Sequence, residues 1–169
     1  MKTPILTSSL SLDQLTLADA PFLLELVNTP GWKQFIGERN VHGLQDALVY
    51  TQKIIDNPDV TYFVVKLNTS KTRVGMLSLI KRDYLPDHDI GFAFLPAYNG
   101  KGYAYEAASA LLKDPAILAA HSRILATSLT DNVRSIRLLE KLGMVFEKEI
   151  TNEGEMLRLY GLTLDQRFK

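Results

Sequence analysis

The chain has 169 residues, of which 46% are hydrophobic and 22% charged, a composition typical of a folded domain rather than of a disordered or membrane-embedded chain. Its 19 basic residues balance 19 acidic ones, so it lacks the basic excess expected of a nucleic-acid binder or of a protein attracted to membrane surfaces. Because cysteine is absent and the three histidines are scattered, we expect no disulfide, no thiolate chemistry and no metal site. A signal-peptide pattern is missing and no apolar run approaches the roughly 20 residues of a membrane span, from which we expect a cytoplasmic protein.

The first half of the chain is predicted to contain a strand, two helices and a β-hairpin. Thr16 and Asp19 have the spacing of a capping box, which predicts the start of the first helix. Apolar residues recur at helical intervals after residue 43, and β-rich runs on both sides of a polar turn indicate the hairpin. In chain order, these elements are a strand over 5–15, a helix over 17–28, an irregular stretch over 32–42, a helix over 43–56, and strands over 60–67 and 73–81.

The second half is predicted to alternate strands with helices and to close with another hairpin. An Asp114-Pro115 step breaks one helix, and an Asn-Glu-Gly turn separates the last two strands. In chain order, these elements are a strand over 88–95, a helix over 102–113, a turn over 116–121, a strand over 123–129, a helix over 133–142, and strands over 144–151 and 155–163. Because no repeat or linker interrupts this order, it predicts one α/β domain over residues 1–169.

A glycine-rich turn connects the strand over 88–95 to the helix over 102–113. The turn reads Asn99-Gly100-Lys101-Gly102-Tyr103-Ala104. Glycine permits a positive φ and a close backbone approach, so several N–H groups can point at one place beside a helix N-terminus. That arrangement suits a phosphate, to which Lys101 would add a positive charge. A plain strand-to-helix turn is the alternative interpretation, and the spacing fits neither a P-loop nor the dinucleotide fingerprint.

A second polar cluster opens the helix over 133–142. Asn132 either caps this helix or contacts a ligand, and the two roles are compatible. Ser135 lies three residues further on, so its side chain shares a face with that of Asn132; the alternative is a solvated first-turn serine. Gly143 ends the helix, as glycine commonly does. The two clusters together indicate a pyrophosphate-bearing cofactor and a chemistry for it.

Three segments of the chain resemble motifs of the GNAT superfamily of acetyl-CoA-dependent N-acetyltransferases. The turn over 99–104 is similar to the superfamily's pyrophosphate loop, with Asn99 in place of the usual arginine or glutamine. Residues 132–144 are similar to its second cofactor motif. Residues 89–95 resemble its central strand, with Asp89 in place of the usual glutamate.

Within the superfamily, the chain most resembles the branch of ribosomal-protein N-terminal (alanine/serine) acetyltransferases, which carries serine where Ser135 lies. Many other members carry tyrosine where this chain has Leu139. The resemblance implies a GNAT-like mixed α/β fold: a mostly antiparallel sheet of six to seven strands, flanked by about four helices, whose fourth and fifth strands splay apart around acetyl-CoA. Those strands would be 88–95 and 123–129. Homodimers are frequent in this branch, so we expect a monomer or a homodimer.

The resemblance also implies which residues bind acetyl-CoA, which acts as a co-substrate. The amides of residues 99–104 would hold the pyrophosphate, and backbone groups over 92–95 would bind the pantetheine arm like an added strand. The cofactor-binding residues expected from the resemblance are Phe92, Phe94, Leu95, Asn99, Gly100, Lys101, Gly102, Tyr103, Ala104, Asn132 and Ser135.

The reaction implied by the resemblance is a direct attack of a neutral primary amine on the thioester. Asp89 is the expected base, acting through ordered water, and a solvated strand-start aspartate is the alternative interpretation. Ser135 would hydrogen-bond the departing thiolate, with Asn132 fixing the cofactor. Three other carboxylates are rivals for the role of base: Glu106, Glu147 and Glu155.

The acceptor side is specified less sharply by the sequence. In the superfamily it is shaped by the first two helices, the turn between the third and fourth strands, and the last hairpin. Protein N-termini, polyamines, amino acids and aminoglycosides are all open as acceptors. Two other functions are alternatives: a module that binds acetyl-CoA without chemistry, and a nucleotide-binding regulatory domain. The candidate lining residues are Trp32, Phe35, Tyr84 and Tyr160.

Overall fold

The protein is built on one eight-stranded sheet, described by a computed structural model over residues 3–164. The strands are β1 (Ile5–Leu6), β2 (Leu10–Gln14), β3 (Val60–Leu67), β4 (Arg73–Ile80), β5 (Asp89–Phe94), β6 (Arg123–Leu129), β7 (Val145–Asn152) and β8 (Glu155–Thr163). Their order across the sheet is β1-β2-β3-β4-β5-β6-β8-β7. Neighbouring strands run antiparallel except β5 and β6, which run parallel. The predicted mixed, mostly antiparallel sheet is therefore confirmed.

Helices cover both faces of the sheet. They are α1 (Ala20–Val27), α2 (Pro30–Phe35), α3 (Leu44–Asp56), α4 (Tyr103–Leu112), α5 (Pro115–Ala120) and α6 (Val133–Lys141). The first three helices bury a smaller apolar cluster with Trp32 and with Met76 of β4. The last three bury a larger cluster with Leu111 and with Leu77, the next residue of β4, so the clusters lie on opposite faces. Within residues 3–164, no helix has the length and apolarity needed to cross a membrane.

The N-terminal segment differs from the prediction because it folds back on itself. Instead of one strand over 5–15, β1 and β2 pair antiparallel, with Ile5 opposite Leu12. A polar turn separates them, and the Thr7 N–H closes it by donating to the Leu10 carbonyl at 2.8 Å. This hairpin accounts for the eighth strand.

Two short helices, α2 and α5, occupy segments predicted as an irregular stretch and as a turn. Each follows a capping side chain and begins with proline. The Thr29 hydroxyl accepts the Trp32 N–H at 3.4 Å, and the Asp114 carboxylate accepts the Ala116 N–H at 3.1 Å. Proline is common at the first position of a helix, whereas the sequence interpretation treated these prolines only as residues that end a helix. The structure therefore has six helices over the described residues rather than about four.

The other predicted elements agree with the structure to within a residue or two. The predicted capping box is present, since the Thr16 N–H donates to the Asp19 carboxylate at 2.9 Å. The first turn, Leu17–Asp19, is a 3-10 helix, and α1 continues from it. The start of this helix was thus predictable from local side-chain chemistry alone.

Strands β5 and β6 touch at one end and then diverge. β5 pairs with β4 along its whole length, from Asp89 to Phe94. Its register with β6 is limited to Asp89 opposite Leu125, where the Leu125 N–H donates to the His88 carbonyl at 2.9 Å. We call the space beyond this contact the cleft, and the contact itself its apex. The predicted splayed pair is confirmed, although the extra N-terminal strand makes it the fifth and sixth strands.

Candidate active site

One edge of β5 faces the cleft with unused backbone groups. The Leu95 N–H donates to the Val74 carbonyl at 2.9 Å, which fixes the set of residues that bond to β4. Because hydrogen-bonded and non-hydrogen-bonded positions alternate in an antiparallel pair, the backbone groups of Phe92 and Phe94 point toward the cleft. Among the described residues, these groups have no hydrogen-bond partner on that side. An extended molecule could bind along this edge as an added strand does.

Leu95 differs from the other predicted binding residues of this strand because its backbone groups are already bonded. Its N–H is bonded to Val74, and its carbonyl accepts the Tyr98 N–H at 2.9 Å. Its side chain is buried in the smaller cluster. The backbone of Leu95 therefore closes the end of β5 and is not part of the open edge, whereas Phe92 and Phe94 are.

The glycine turn presents free N–H groups at the open end of the cleft. Gly100 and Gly102 have φ angles of 76° and 82°, a left-handed conformation that favours glycine. The Glu106 N–H donates to the Gly102 carbonyl at 3.0 Å, which starts the hydrogen bonding of α4. Within residues 3–164, the backbone N–H groups of residues 100–105, ahead of that bond, have no partner. Such a row of donors at a helix N-terminus suits an anion, as the sequence predicted.

Aromatic and polar contacts hold this turn against the rest of the fold. The rings of Tyr98, before the glycines, and Tyr103, after them, have centroids 6.5 Å apart. In the first turn of α4, Glu106 accepts hydrogen bonds from the Thr7 hydroxyl and from the Ser9 N–H, the latter at 3.0 Å. These bonds tie α4 to the β1–β2 turn. They also occupy Glu106, which weakens its case as a base in the cleft.

The start of α6 lies at the open end of the cleft, directly after β6. The Asn132 side-chain oxygen accepts the Ser135 N–H at 3.3 Å, so the capping role of Asn132 is confirmed. Ser135 is half-buried in the first turn of α6, four residues before Leu139, which lies in the larger cluster. Residues four apart share a helix face, so the Ser135 side chain is on the side of α6 that faces the sheet. The Ser135 side chain is therefore partly shielded from solvent.

Asp89 lies at the apex of the cleft, and only 4% of it is exposed. Arg82, in the β4–β5 connection, donates from Nε to both oxygens of this carboxylate, at 3.0 and 3.1 Å. Burial raises the pKa of Asp89 above its ordinary value, and the charge of Arg82 opposes part of that rise. The alternative of a solvated aspartate is therefore wrong. Asp89 is a desolvated, ion-paired carboxylate with an increased proton affinity.

The remaining carboxylate rivals are both exposed. Glu147, on β7, accepts a hydrogen bond from Arg123 at 2.6 Å and is held in that ion pair. Glu155 is exposed at the start of β8. Among the predicted rivals and Asp89, only Asp89 is a buried carboxylate at the contact between β5 and β6.

The aromatic residues predicted to line the acceptor side separate into two groups. Tyr160 is a core residue of the larger cluster, and its hydroxyl accepts a hydrogen bond from Arg158 at 3.0 Å. Trp32 is buried in the smaller cluster. Phe35, at the end of α2, and Tyr84, in the β4–β5 connection, retain exposed surface. The last two therefore stay candidates, and Tyr160 is accounted for by packing.

Three polar residues near the apex escaped the sequence interpretation: Tyr62, Ser78 and Arg82. Tyr62 lies opposite Ser78 across β3 and β4, and Ser78 lies opposite Gly91 across β4 and β5. A Cβ atom on Gly91 would come within 2.7 Å of the Ser78 hydroxyl oxygen, so a larger residue at this position would displace that hydroxyl. The short connection around Arg82 was the available signal, because it brings Arg82 beside Asp89, seven residues later.

Comparison with known proteins identifies the family of this chain. The acetyltransferase (GNAT) domain family matches residues 9–145. The Bacillus subtilis (strain 168) protein YnaD, described as an uncharacterized N-acetyltransferase, is 30% identical over 142 residues, which cover 83% of this chain and 81% of YnaD.

Two solved structures have the same fold. RimL, a ribosomal L7/L12 alpha-N-protein acetyltransferase in complex with coenzyme A, has a TM-score of 0.83 at 17% identity and covers 97% of this chain and 99% of its own. The spermidine N-acetyltransferase from Vibrio cholerae, in complex with CoA and spermine, has a TM-score of 0.79 at 19% identity and covers 96% of this chain and 100% of its own. Because the family match spans most of the chain and its motifs lie where the cleft is built, this protein belongs to the GNAT acetyltransferases and is an acetyl-CoA-dependent acyltransferase.

Proposed function

We propose that this protein moves an acetyl group from acetyl-CoA directly to a primary amine within a ternary complex. One observation carries the proposal. The free N–H groups of residues 100–105 and the unused edge of β5 follow one another from the open end of the cleft to its apex, where Asp89 lies. RimL and the spermidine N-acetyltransferase, which share the fold, are named for amine acceptors of two different kinds.

The cofactor-binding part of the proposal uses backbone groups more than side chains. The N–H groups over 100–105 hold the pyrophosphate, and the exposed side chains of Asn99 and Lys101 flank it. The backbone groups of Phe92 and Phe94 bind the pantetheine arm. An N–H on the same edge is a donor for the oxyanion that forms during acyl transfer. Loss of the usual arginine or glutamine at position 99 is tolerated because amides do most of this work.

The catalytic part of the proposal rests on Asp89 and Ser135. Acetyl-CoA supplies the activated acyl group when it is bound. The attacking amine must be neutral, and Asp89 accepts its proton through an ordered water, which suits a carboxylate whose proton affinity is increased by burial. Ser135 donates a hydrogen bond to the thiolate that leaves, and Asn132 positions it by capping the first turn of α6. A covalent acyl-enzyme is not part of the proposal, since the chain has no cysteine.

A panel of primary amines, with release of free thiol as the readout, tests this function. The wild-type protein should release thiol with at least one class of acceptor. Ser135→Ala should lower kcat by about tenfold or more while acetyl-CoA still binds in calorimetry, because it loses a hydrogen bond to a developing charge. Ser122→Ala, an exposed serine before β6, is the matched control and should keep full turnover.

Two results would contradict the proposal. Tight acetyl-CoA binding without acetylation of any amine would favour the binding module considered from the sequence. Full turnover by Ser135→Ala would remove Ser135 from the catalytic machinery. We further propose that the enzyme works in the cytoplasm. The balanced charge of the chain supports an acceptor that is neither nucleic acid nor a membrane surface.

A further inference from the structure

The connection between β4 and β5 brings an arginine back to the apex of the cleft. β4 ends at Ile80, which lies opposite Asp89, the first residue of β5. Arg82 follows two residues after Ile80, so it leaves from beyond the paired strands and returns to the Asp89 carboxylate. Its Nε group donates to both carboxylate oxygens, at 3.1 and 3.0 Å. The carboxylate at the apex is thus bound at both of its oxygens by one guanidinium group.

The backbone on both sides of Arg82 is fixed by contacts with other elements. The Lys81 N–H donates to the Asp59 carbonyl at 2.8 Å, which ties the start of the connection to the turn before β3. The Arg82 carbonyl accepts the Leu85 N–H at 3.3 Å. The Leu85 side chain is buried with Leu125, the residue of β6 that forms the apex contact. The position of Arg82 is therefore set by β3 and β6 as well as by its own connection.

The burial of Asp89 makes its charge depend on this arginine. The side chain of Asp89 is 5% exposed, whereas that of Arg82 is 38% exposed. A carboxylate must be ionised before it can accept a proton, and burial disfavours the ionised form. Burial has the largest effect on the pKa of Asp89 and raises it, while the charge and the hydrogen bonds of Arg82 lower it. The arginine therefore favours the form in which Asp89 can act as a base.

The uncharged titratable groups near this ion pair come from four segments. His88, the residue before Asp89, has a smaller effect on its pKa, in the same direction as that of the arginine. The ring of His121, before β6, packs on that of His88 with centroids 4.7 Å apart, and burial lowers the pKa of His121. Tyr62, on β3, and Tyr84, in the connection, act on the guanidinium. Burial raises the pKa of both tyrosines, so they carry no charge at pH 7.

The other carboxylates of the surrounding turns do not pair with this arginine. Asp83, the next residue after Arg82, is exposed, and so is Glu153 in the β7–β8 turn. Asp87, near the end of the connection, binds Arg123 at 3.7 Å. Within residues 3–164, none of these three carboxylates forms an ion pair with Arg82. Its charge is therefore directed to the carboxylate at the apex.

A second ion pair of the same form lies elsewhere in the fold. The Nε group of Arg73 donates to Asp19 at 2.7 Å, and the two side chains are 35% and 3% exposed. Arg73 begins β4, whereas Arg82 follows the end of that strand, so the two pairs lie at opposite ends of β4. Asp19 belongs to the capping box that precedes α1. The chain thus contains a matched arginine–aspartate pair outside the cleft.

We infer that Arg82 is a positioning residue of the reaction: by binding both oxygens of Asp89, it holds this carboxylate ionised and in a fixed direction at the apex. The inference rests on the proposed function, in which Asp89 accepts a proton through an ordered water. A carboxylate has roughly four lone-pair sites, so an Nε–H shared by both oxygens leaves each of them a site for water. Arg82 touches no reacting atom in this scheme and acts through Asp89 alone.

Profiles of kcat/KM against pH test this role, with one acceptor amine throughout so that the titration of the acceptor is the same in every variant. Arg82→Gln should shift the acidic limb of the profile upward by about 1–3 pH units, the usual effect of an arginine on a neighbouring aspartate. Above that limb, turnover should return to within about tenfold of the wild type, a loss equal to one charged hydrogen bond. Arg82→Lys keeps the charge but not the guanidinium, so it should lose about tenfold without moving the limb.

The matched ion pair supplies the control, and a spectroscopic titration supplies a readout that does not need turnover. Arg73→Gln removes an equally exposed arginine from an equally buried aspartate, so it should lower stability and leave the pH profile unchanged. In carbon NMR, the carboxyl signal of Asp89 is identified by its absence from Asp89→Asn. Its pKa should be higher in Arg82→Gln than in the wild type.

The outcomes separate this inference from the function on which it rests. If Asp89→Asn keeps full turnover, the proposed base fails and the role of Arg82 fails with it. If Asp89→Asn loses turnover while the profile of Arg82→Gln coincides with that of the wild type, the base stands and the assignment of Arg82 is wrong. An equal shift in Arg73→Gln would also overturn it. If Arg82→Gln does not fold, wild-type turnover and an unchanged profile in Arg82→Lys would overturn it.

Discussion

Asp19 and Asp89 are buried to a similar degree, with 2% and 4% exposed, yet they lie in different parts of the fold. Each is bound by the Nε of an arginine, Arg73 for Asp19 at 2.7 Å and Arg82 for Asp89 at 3.0 Å. Asp19 also accepts the Thr16 N–H in a capping box, so its role is to start a helix. Asp89 lies instead at the apex of the cleft. The residue type and the type of ion pair are the same, and the positions of the two residues make only Asp89 a candidate base.

Replacing Asp89 by asparagine tests its role as base. We expect Asp89→Asn to lower kcat by about 10²–10⁴-fold, the usual contribution of a positioned base, with acetyl-CoA binding retained. The comparison needs steady-state kinetics for turnover and calorimetry for binding. Asp19→Asn is the control, because it removes an equally buried and ion-paired carboxylate from another part of the sheet. Equal turnover in the two variants would assign Asp89 a structural role only.

The raised pKa of Asp89 also makes folding stability depend on pH. The folded protein binds the Asp89 proton more tightly than the unfolded chain does, so stability falls as pH rises from the ordinary value of 3.8 through the raised value. Asp89→Asn removes this titration. As pH rises through that window, the free energy of unfolding measured in urea should therefore fall in the wild type relative to the variant. A constant difference, or a shift toward the wild type, would mean that the pKa is not raised.

The candidate site was predictable wherever the chemistry is local in the chain. Asn132 and Ser135 are three residues apart, and the cap that joins them follows from that spacing. The partner of Asp89 was not predicted, because Arg82 reaches it only after β4 and β5 pair. The register, and not the residue type, also decides which backbone groups of β5 are open, and it separates Leu95 from Phe92 and Phe94.

At the scale of the element, the connection from β5 to α4 follows a strand end with a row of free N–H groups. Gly100 and Gly102 adopt the left-handed conformation, which frees the N–H groups over 100–105 from local bonding. Glu106 then anchors the first turn of α4 to the β1–β2 hairpin. A short segment therefore both exposes its donors and fixes their direction.

Gly102→Ala tests the turn as a binding element. Alanine at this φ costs about 1–2 kcal/mol, and relaxation of the strain would turn the donors away from a bound anion. We expect acetyl-CoA affinity in calorimetry to fall by about tenfold or more, as for the loss of one charged hydrogen bond. Gly154→Ala, in the β7–β8 turn, is the matched control. Gly154 has a φ of 79° and Gly102 one of 82°, and a Cβ atom at either position would meet no neighbouring atom, so the control variant imposes equal strain without touching the cofactor turn. If both variants bound acetyl-CoA as the wild type does, the turn would not be the pyrophosphate site.

At the scale of the whole molecule, one sheet separates two apolar clusters. The larger cluster packs α4, α5 and α6 on the side of the cofactor turn, and the smaller one packs α1, α2 and α3 on the other. Tyr98 packs against both clusters. Because both share the strands of one sheet, we expect them to unfold together as the single domain predicted from the sequence.

Leu111→Ala tests this cooperativity. Leu111 is fully buried in the larger cluster, and its truncation should lower the free energy of unfolding by about 2–5 kcal/mol. Trp32 is the only tryptophan of the chain and lies in the smaller cluster, so its fluorescence reports on the opposite face. The fluorescence and circular-dichroism midpoints in urea should fall by the same amount. Leu23→Ala, in the smaller cluster, is the matched variant, and separate transitions for the two probes would indicate two folding units.

The sequence by itself determined the features that depend on near neighbours in the chain. Three such features form within a few residues of the chain, so residue type and spacing are sufficient to specify them. They are the capping box at Thr16, the glycine turn over 99–104 and the cap at Asn132. The tertiary structure decided the apex: the ion pair of Asp89, the row from Tyr62 to Gly91, and the open edge of β5. These arise from strand register, which is set by the packing of both faces of the sheet at once and cannot be obtained from any one segment.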